Sequence, residues 1–150
     1  MTIIVISKTK EKFFQASERE FIKRLSAFAK LDILILPAKK NGSQSEIIES
    51  EGKTILAKIK KDDFVIALDK SGKQFTSEEF AKKFESLQNQ AQNIVFVIGG
   101  TYGLNSNILD RANLVLSFSQ MTFTHEMIRT ILLEQIYRAH TILNNKPYHY

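Results

Sequence analysis

Five short runs of the chain are apolar almost without a break: Thr2–Ser7, Leu31–Leu36, Phe64–Leu68, Ile94–Ile98 and Leu114–Phe118. A strand that is apolar at odd and even positions alike has two faces to bury. A parallel sheet with helices packed on each side meets that need. The segments between the runs carry the matching helical periodicity, at about Lys12–Ala29, Glu46–Lys60, Glu78–Ala91 and Asn105–Ala112. A last amphipathic stretch, His125–Leu143, is stopped by Asn144-Asn145-Lys146-Pro147. Ser45 and Ser77 stand where a side-chain oxygen can cap the second and third helices. There is no repeat, low-complexity stretch or interior linker in the 150 residues. The chain therefore reads as one α/β domain over residues 1–150, on a mostly parallel five- to six-stranded sheet with helices on both faces.

In sheets of this kind ligands sit beyond the carboxyl ends of the strands. The first such end reads Ser7-Lys8-Thr9-Lys10-Glu11, with no glycine, and no Walker sequence occurs anywhere. A phosphate-cradling first loop is thereby excluded, and with it an ordinary dinucleotide-binding fold. The absence of cysteine excludes disulfides, a Cys-based zinc site and a thiolate nucleophile. His125, His140 and His149 have no metal-ligand spacing, so no metal is expected. The opening apolar run lacks a basic leader and is too short to span a bilayer, so the expectation is a cytoplasmic chain with no membrane partner.

The net charge is +5, unevenly spread: residues 1–61 hold 13 Lys/Arg against 7 Asp/Glu, whereas residues 62–90 hold 4 against 6. A basic excess confined to one half suits a polyanionic partner, although a solvated lysine-rich surface would look the same.

Three strand ends carry unusual residues. Leu68-Asp69-Lys70-Ser71-Gly72 follows the third strand and Gly99-Gly100-Thr101-Tyr102-Gly103 the fourth. Each glycine permits either a tight turn or the close approach of a ligand to the backbone. Beyond the fifth strand, Ser117-Phe118-Ser119-Gln120-Met121-Thr122-Phe123-Thr124-His125 is apolar for a connection. It can enclose a flat apolar ligand or be buried at a contact. In the final helix His125 and Arg129 share a face at i,i+4. Arg138 points elsewhere, and Glu126 and Glu134 can pair with the two arginines.

Taken together, Phe96 to Leu104, Leu116 to His125, Leu133 to Ala139 and Pro147-Tyr148-His149 closely resemble the RlmH family, the bacterial large-subunit rRNA pseudouridine N3-methyltransferases. The resemblance extends over essentially the whole chain. It implies a SPOUT fold with a trefoil knot in the C-terminal half, where periodicity alone would lead to an open doubly wound sheet. It implies S-adenosyl-L-methionine as cofactor, held by Leu68 on the adenine side, by the backbone at Gly99, and by Phe118, Ser119, Gln120, Met121, Thr122 and Phe123. It implies a homodimer whose target site draws on both subunits, and the ribosome or its large-subunit rRNA as partner. Two positions depart from the family pattern: Thr124 stands where relatives have proline, and Tyr150 where they have a basic residue.

For that chemistry Arg138 or Arg129 is expected to stabilise the anion that develops as an imide N–H loses its proton. His149, docked by Tyr148, is expected to orient or deprotonate the base; His125 is a lesser candidate. The same residues leave open a SPOUT enzyme acting on another rRNA or tRNA base, and a ribosome-binding module without catalysis.

Overall fold

Each apolar run becomes a strand and each periodic stretch a helix. In chain order they are β1 (Thr2–Ile6), α1 (Lys12–Leu25), β2 (Asp32–Leu36), α2 (Gln44–Leu56) and β3 (Phe64–Lys73), then α3 (Ser77–Asn89), β4 (Ile94–Ile98), α4 (Ser106–Arg111), β5 (Leu114–Leu116) and α5 (His125–Leu143). The structure, a computed structural model, describes residues 1–90 and 93–148. Among these, the five strands form one sheet in the order β2-β1-β4-β3-β5, and every strand pair is parallel.

The two-sided apolarity of the strands is used as the sequence suggests. Ile3, Val5, Ile66, Leu68, Phe96 and Ile98 face a layer containing Leu25 of α1, Phe80 and Phe84 of α3, and Leu132, Leu133 and Ile136 of α5. The alternate residues Ile4, Ile6, Val65, Ala67, Val95 and Val97 face Ile55 of α2 and Ile108 of α4. Each such Val, Leu, Ile or Phe side chain contributes roughly 1.5–3 kcal/mol by leaving water. The helix α5 packs against both α1 and α3, so the residue types that looked chemically loaded in it start from a buried element.

The local differences from expectation have identifiable causes. Helix α2 begins at Gln44, ahead of Ser45, and α3 at Ser77 itself, because the caps are Ser43 and Thr76. Each forms a reciprocal capping box, with Glu46 and Glu79 respectively. The first helix ends at Leu25 instead of Ala29: the Phe28 N–H donates to the Leu25 oxygen, so the chain leaves through a tight turn.

The third strand runs on to Lys73 because residues 69–72 loop out between two pairings, Leu68 with Leu116 and Lys73 with Leu116. Within that loop Asp69 Oδ1 accepts from the Ser71 N–H at 2.9 Å and from its hydroxyl at 2.6 Å. Gly72 passes so close to β5 that a Cβ there would lie 2.6 Å from the Val115 oxygen. The fifth strand accordingly stops at Leu116 instead of Phe118, with the Ser117 N–H turned to the Lys73 oxygen at 2.9 Å.

Candidate active site

The carboxyl ends of β3, β4 and β5 open into a cleft of about 400 Å³. Leu68, Ile98 and Leu116, the last buried residues of these strands, give it an apolar floor. One wall is the Gly99–Gly103 loop, the other the segment from Ser117 to the first turn of α5. The glycine wall is tightly closed: Gly103 N–H donates to the Gly100 oxygen at 3.1 Å. A Cβ on Gly99 would stand 2.6 Å from the Gly103 carbonyl atoms. Only a bare Cα lets this loop lie flat along the cleft.

Short polar side chains shape the opposite wall. The buried Ser117 hydroxyl donates to the Ser119 oxygen at 2.9 Å, and Ser119 Oγ accepts from the Met121 N–H at 3.0 Å. Thr124 caps α5, accepting from the Met127 N–H at 3.2 Å. The position where relatives have proline is therefore fixed by a threonine cap. Phe118 packs against the core, while Met121 (74% exposed) and Phe123 (39%) point outward.

Of the residues expected to hold a cofactor, Leu68, Gly99, Phe118, Ser119, Met121, Thr122 and Phe123 all line this one cleft. Gln120 does not. Asp69 and Lys70, in the strand-end segment noted after Leu68, line it too, and so do Gln44 at the start of α2 and Ile128 of α5, to which the sequence gives no pointer.

His125 also lines the cleft. Burial pushes its imidazole below the ordinary histidine value, with Arg129 and Lys10 acting the same way and Glu126 opposing. A histidine so placed is neutral near pH 7.

Arg129 is placed otherwise. It is 1% exposed, donating from Nη1 to Thr9 Oγ1 and from Nη2 to the Ser7 oxygen, both at 2.8 Å. Glu18 lies 3.7 Å from its guanidinium and also accepts from Thr9. Beside it, the Glu126 carboxylate accepts from the N–H groups of Lys10 and Glu11 at 3.1 Å each. Arg129 and Glu126 thus bind the loop after β1 to α5. Both side chains are buried.

Arg138 lies toward the other end of α5. Its guanidinium contacts Glu134 Oε1 at 2.6 Å, and stands 5.0 Å from the ring centre of Tyr148. The Tyr148 hydroxyl donates to the same carboxylate oxygen at 3.2 Å. At 1.5 Å per residue, the ten residues from Ile128, the cleft-lining residue furthest along α5, place Arg138 about 15 Å along the helix from the cleft. His149 lies outside the described residues.

No cluster of His, Asp and Glu that could hold a metal occurs among the described residues. No helix among them is long and apolar enough to cross a membrane.

Comparison with known proteins adds a family. Residues 1–149 match the family model described as "Predicted SPOUT methyltransferase". The protein named "Ribosomal RNA large subunit methyltransferase H 1" of Clostridium perfringens (strain SM101 / Type A) is 46% identical to this chain, covering 99% of it and 98% of its own length. Proteins named "Ribosomal RNA large subunit methyltransferase H" from Clostridium botulinum (strain 657 / Type Ba4) and Halothermothrix orenii are 48% and 43% identical over the same shares. A solved structure described as a "probable methylase family protein" from Haemophilus influenzae Rd KW20 matches with a TM-score of 0.60 at 16% identity. It covers 99% of this chain and 70% of that one, a likeness of fold.

Proposed function

The chain belongs to the SPOUT methyltransferases, in the family of ribosomal RNA large subunit methyltransferase H, and on that premise we propose that it methylates N3 of a pseudouridine in large-subunit rRNA. In this reading it uses S-adenosyl-L-methionine, works as a homodimer, and meets its substrate on the assembled ribosome in the cytoplasm. The family's C-terminal trefoil knot belongs to the same reading. One observation carries it: three separate strand ends, with seven of the eight residues the family resemblance marks for the cofactor, line a single cleft.

The residues present fit that cofactor. Leu68, Ile98 and Leu116 offer an apolar floor to a purine face, and the bare Gly99 allows close backbone approach. Asp69, Gln44 and the hydroxyls of Ser119 and Thr122 supply polar groups at the rim. A cleft of this size suits a ligand of nucleoside dimensions. The cofactor, when bound, supplies an electrophilic methyl group.

The chain's own groups then have three tasks. The cleft walls hold the donor and exclude water from it. Arg138 offers positive charge to the anion that forms when the imide N–H loses its proton. His149, following the docked Tyr148, orients the base or accepts that proton. Because Arg129 is enclosed, the electrostatic role falls to Arg138.

The roughly 15 Å between Arg138 and the cleft on one helix supports a site composed from two protomers, one giving the cleft and the other the arginine. Exposed Phe13, Met121, Phe123 and Met127 provide apolar surface for such an association. Lys8, Lys10 and Lys12, on the loop and first helical residue beyond β1, are exposed and suited to RNA phosphates.

The test is incubation with isotopically labelled cofactor and free rRNA, isolated subunits or whole ribosomes, followed by mass spectrometry of the RNA. Label on a pseudouridine N3 from ribosomes supports the proposal. Label on another base or on tRNA, or on none, rejects it.

A further inference from the structure

Helix α2 buries four residues, Ile47, Glu51, Gly52 and Ile55. They form the stripe that an amphipathic helix ordinarily fills with apolar side chains. Glu51 is 5% exposed. Its Oε1 accepts one long hydrogen bond, from the Lys39 N–H at 3.3 Å, and its Oε2 has no partner among the described residues. Burial pushes this carboxyl above its ordinary value, against the smaller opposing effect of the Lys39 amide. A half-satisfied carboxyl in such a stripe detracts from stability compared with an isoleucine. Its presence calls for a purpose other than packing.

Its neighbours suggest that purpose. A Cβ built on Gly100 would stand 2.6 Å from Glu51 Oε2, so the carboxyl fills the volume that a side chain at position 100 would take. One residue on, a Cβ built on Gly52 would stand 2.2 Å from Nδ2 of Asn105. Asn105 is itself 8% exposed and caps α4, accepting from the Ile108 N–H at 3.0 Å. Two consecutive residues of α2 therefore meet the two ends of the loop that forms the glycine wall of the cleft. Glu51 lies under Gly100, and the bare Gly52 lies under Asn105. Through Lys39, Glu51 also touches the loop between β2 and α2. Glu51 does not line the cleft, so any effect it has on a ligand passes through the wall.

We propose that Glu51 is a positioning residue for the methyl-transfer site: its carboxyl, wedged between the Lys39 amide and Gly100, holds the Gly99–Gly103 wall in the shape that receives the cofactor. The positioning of the wall stands on the geometry alone; the consequence for the cofactor rests on the function proposed above. A flat, hydrogen-bond-accepting group of this length meets both contacts. A methyl group leaves a void under Gly100, and a branched aliphatic chain cannot accept from Lys39. Glutamine keeps the shape and the acceptor, and matches the uncharged carboxyl that burial favours.

The experiment compares wild type, Glu51→Ala and Glu51→Gln by two readouts: hydrogen exchange of the peptide spanning Gly99–Gly103, and calorimetric titration with S-adenosylmethionine. Glu51→Ala is expected to speed exchange in that peptide and to weaken cofactor binding about tenfold, the scale of a loop that must be ordered on binding. Glu51→Gln is expected to recover most of both. Should Glu51→Ala not fold, Gly100→Ala presses on the same contact from the other side and is expected to show the same paired loss with Glu51 intact. Unchanged protection and affinity in Glu51→Ala, with only a lower melting temperature, would overturn the proposal. So would a glutamine variant no better than alanine. If wild type takes up no cofactor, the proposed function fails, while the exchange readout still decides whether Glu51 holds the wall.

Discussion

Arg129 donates from Nη2 to the backbone oxygen of Ser7, 122 residues earlier in the chain, at 2.8 Å. Ser7, the residue after β1, has φ at +68°, in the left-handed region that a serine adopts only when its surroundings impose it. The turn of α5 that holds this loop also presents His125 and Ile128 to the cleft. The basic loop after β1 and the cleft wall are therefore two sides of one anchored structure.

Removing the Arg129 side chain leaves Glu18 and Thr9 without their shared partner in a closed site. Arg129→Ala is expected to lower unfolding stability by about 3–5 kcal/mol, the usual result of breaking one side of a buried pair. Urea denaturation measures it directly. A loss below 1 kcal/mol would show that the anchor carries little.

Gly99→Ala places a methyl group 2.6 Å from the Gly103 carbonyl carbon and oxygen. Those are backbone atoms, so the wall must move. The expected result is a large loss of S-adenosylmethionine binding, by about a hundredfold or more if roughly 3 kcal/mol of distortion falls on the bound state. Calorimetry reads the affinity, and circular dichroism shows whether the fold persists.

Arg138→Ala removes the charge assigned to the developing anion. The expected loss in kcat is about 10²–10³, with cofactor affinity unchanged, as for other single groups that stabilise a reacting anion. Equal losses in cofactor binding and turnover would place Arg138 in structural support instead.

His140 is buried between Phe28 and Phe84, with ring centres at 5.2 and 5.4 Å and no partner for Nε2 among the described residues. Burial lowers its pKa from the ordinary 6.5. Well above pH 6.5 both the folded and the unfolded chain are essentially unprotonated there, and the packing of the neutral ring contributes in full. As the pH falls below 6.5 the unfolded chain binds the proton first, so stability is lost until the folded pKa is passed. The melting temperature is expected to drop between pH 7 and 5.5, and less steeply in His140→Phe. His125 has the same sign and keeps part of the slope.

The sheet was legible in the sequence because its strands are apolar at both parities, a pattern that admits few architectures. The helix starts differ from the expected ones by one or two residues where two hydroxyl side chains compete for the cap, Ser43 with Ser45 and Thr76 with Ser77. Ser43-Gln44-Ser45-Glu46 and Thr76-Ser77-Glu78-Glu79 both contain the capping-box spacing, and the residue three before the glutamate is the cap. The cleft residues were marked by family resemblance. Asp69 and Lys70 fall in the glycine-bearing strand end after Leu68, but Gln44 has no local signal, since its arrival depends on the order β2-β1-β4-β3-β5. From its spacing, Arg129 reads either as a charge for the reacting anion or as the partner of Glu126. Its enclosure by Ser7, Thr9 and Glu18 is a long-range arrangement that helical spacing does not report.

The central claim is that the ends of β3, β4 and β5 form the seat of the methyl donor. Isothermal titration of the wild-type protein with S-adenosylmethionine, and with its demethylated product, tests this most directly. Saturable binding that Gly99→Ala removes, in a variant that is still folded, is the predicted result. Absence of binding by both compounds, or binding that Gly99→Ala leaves intact, would contradict it.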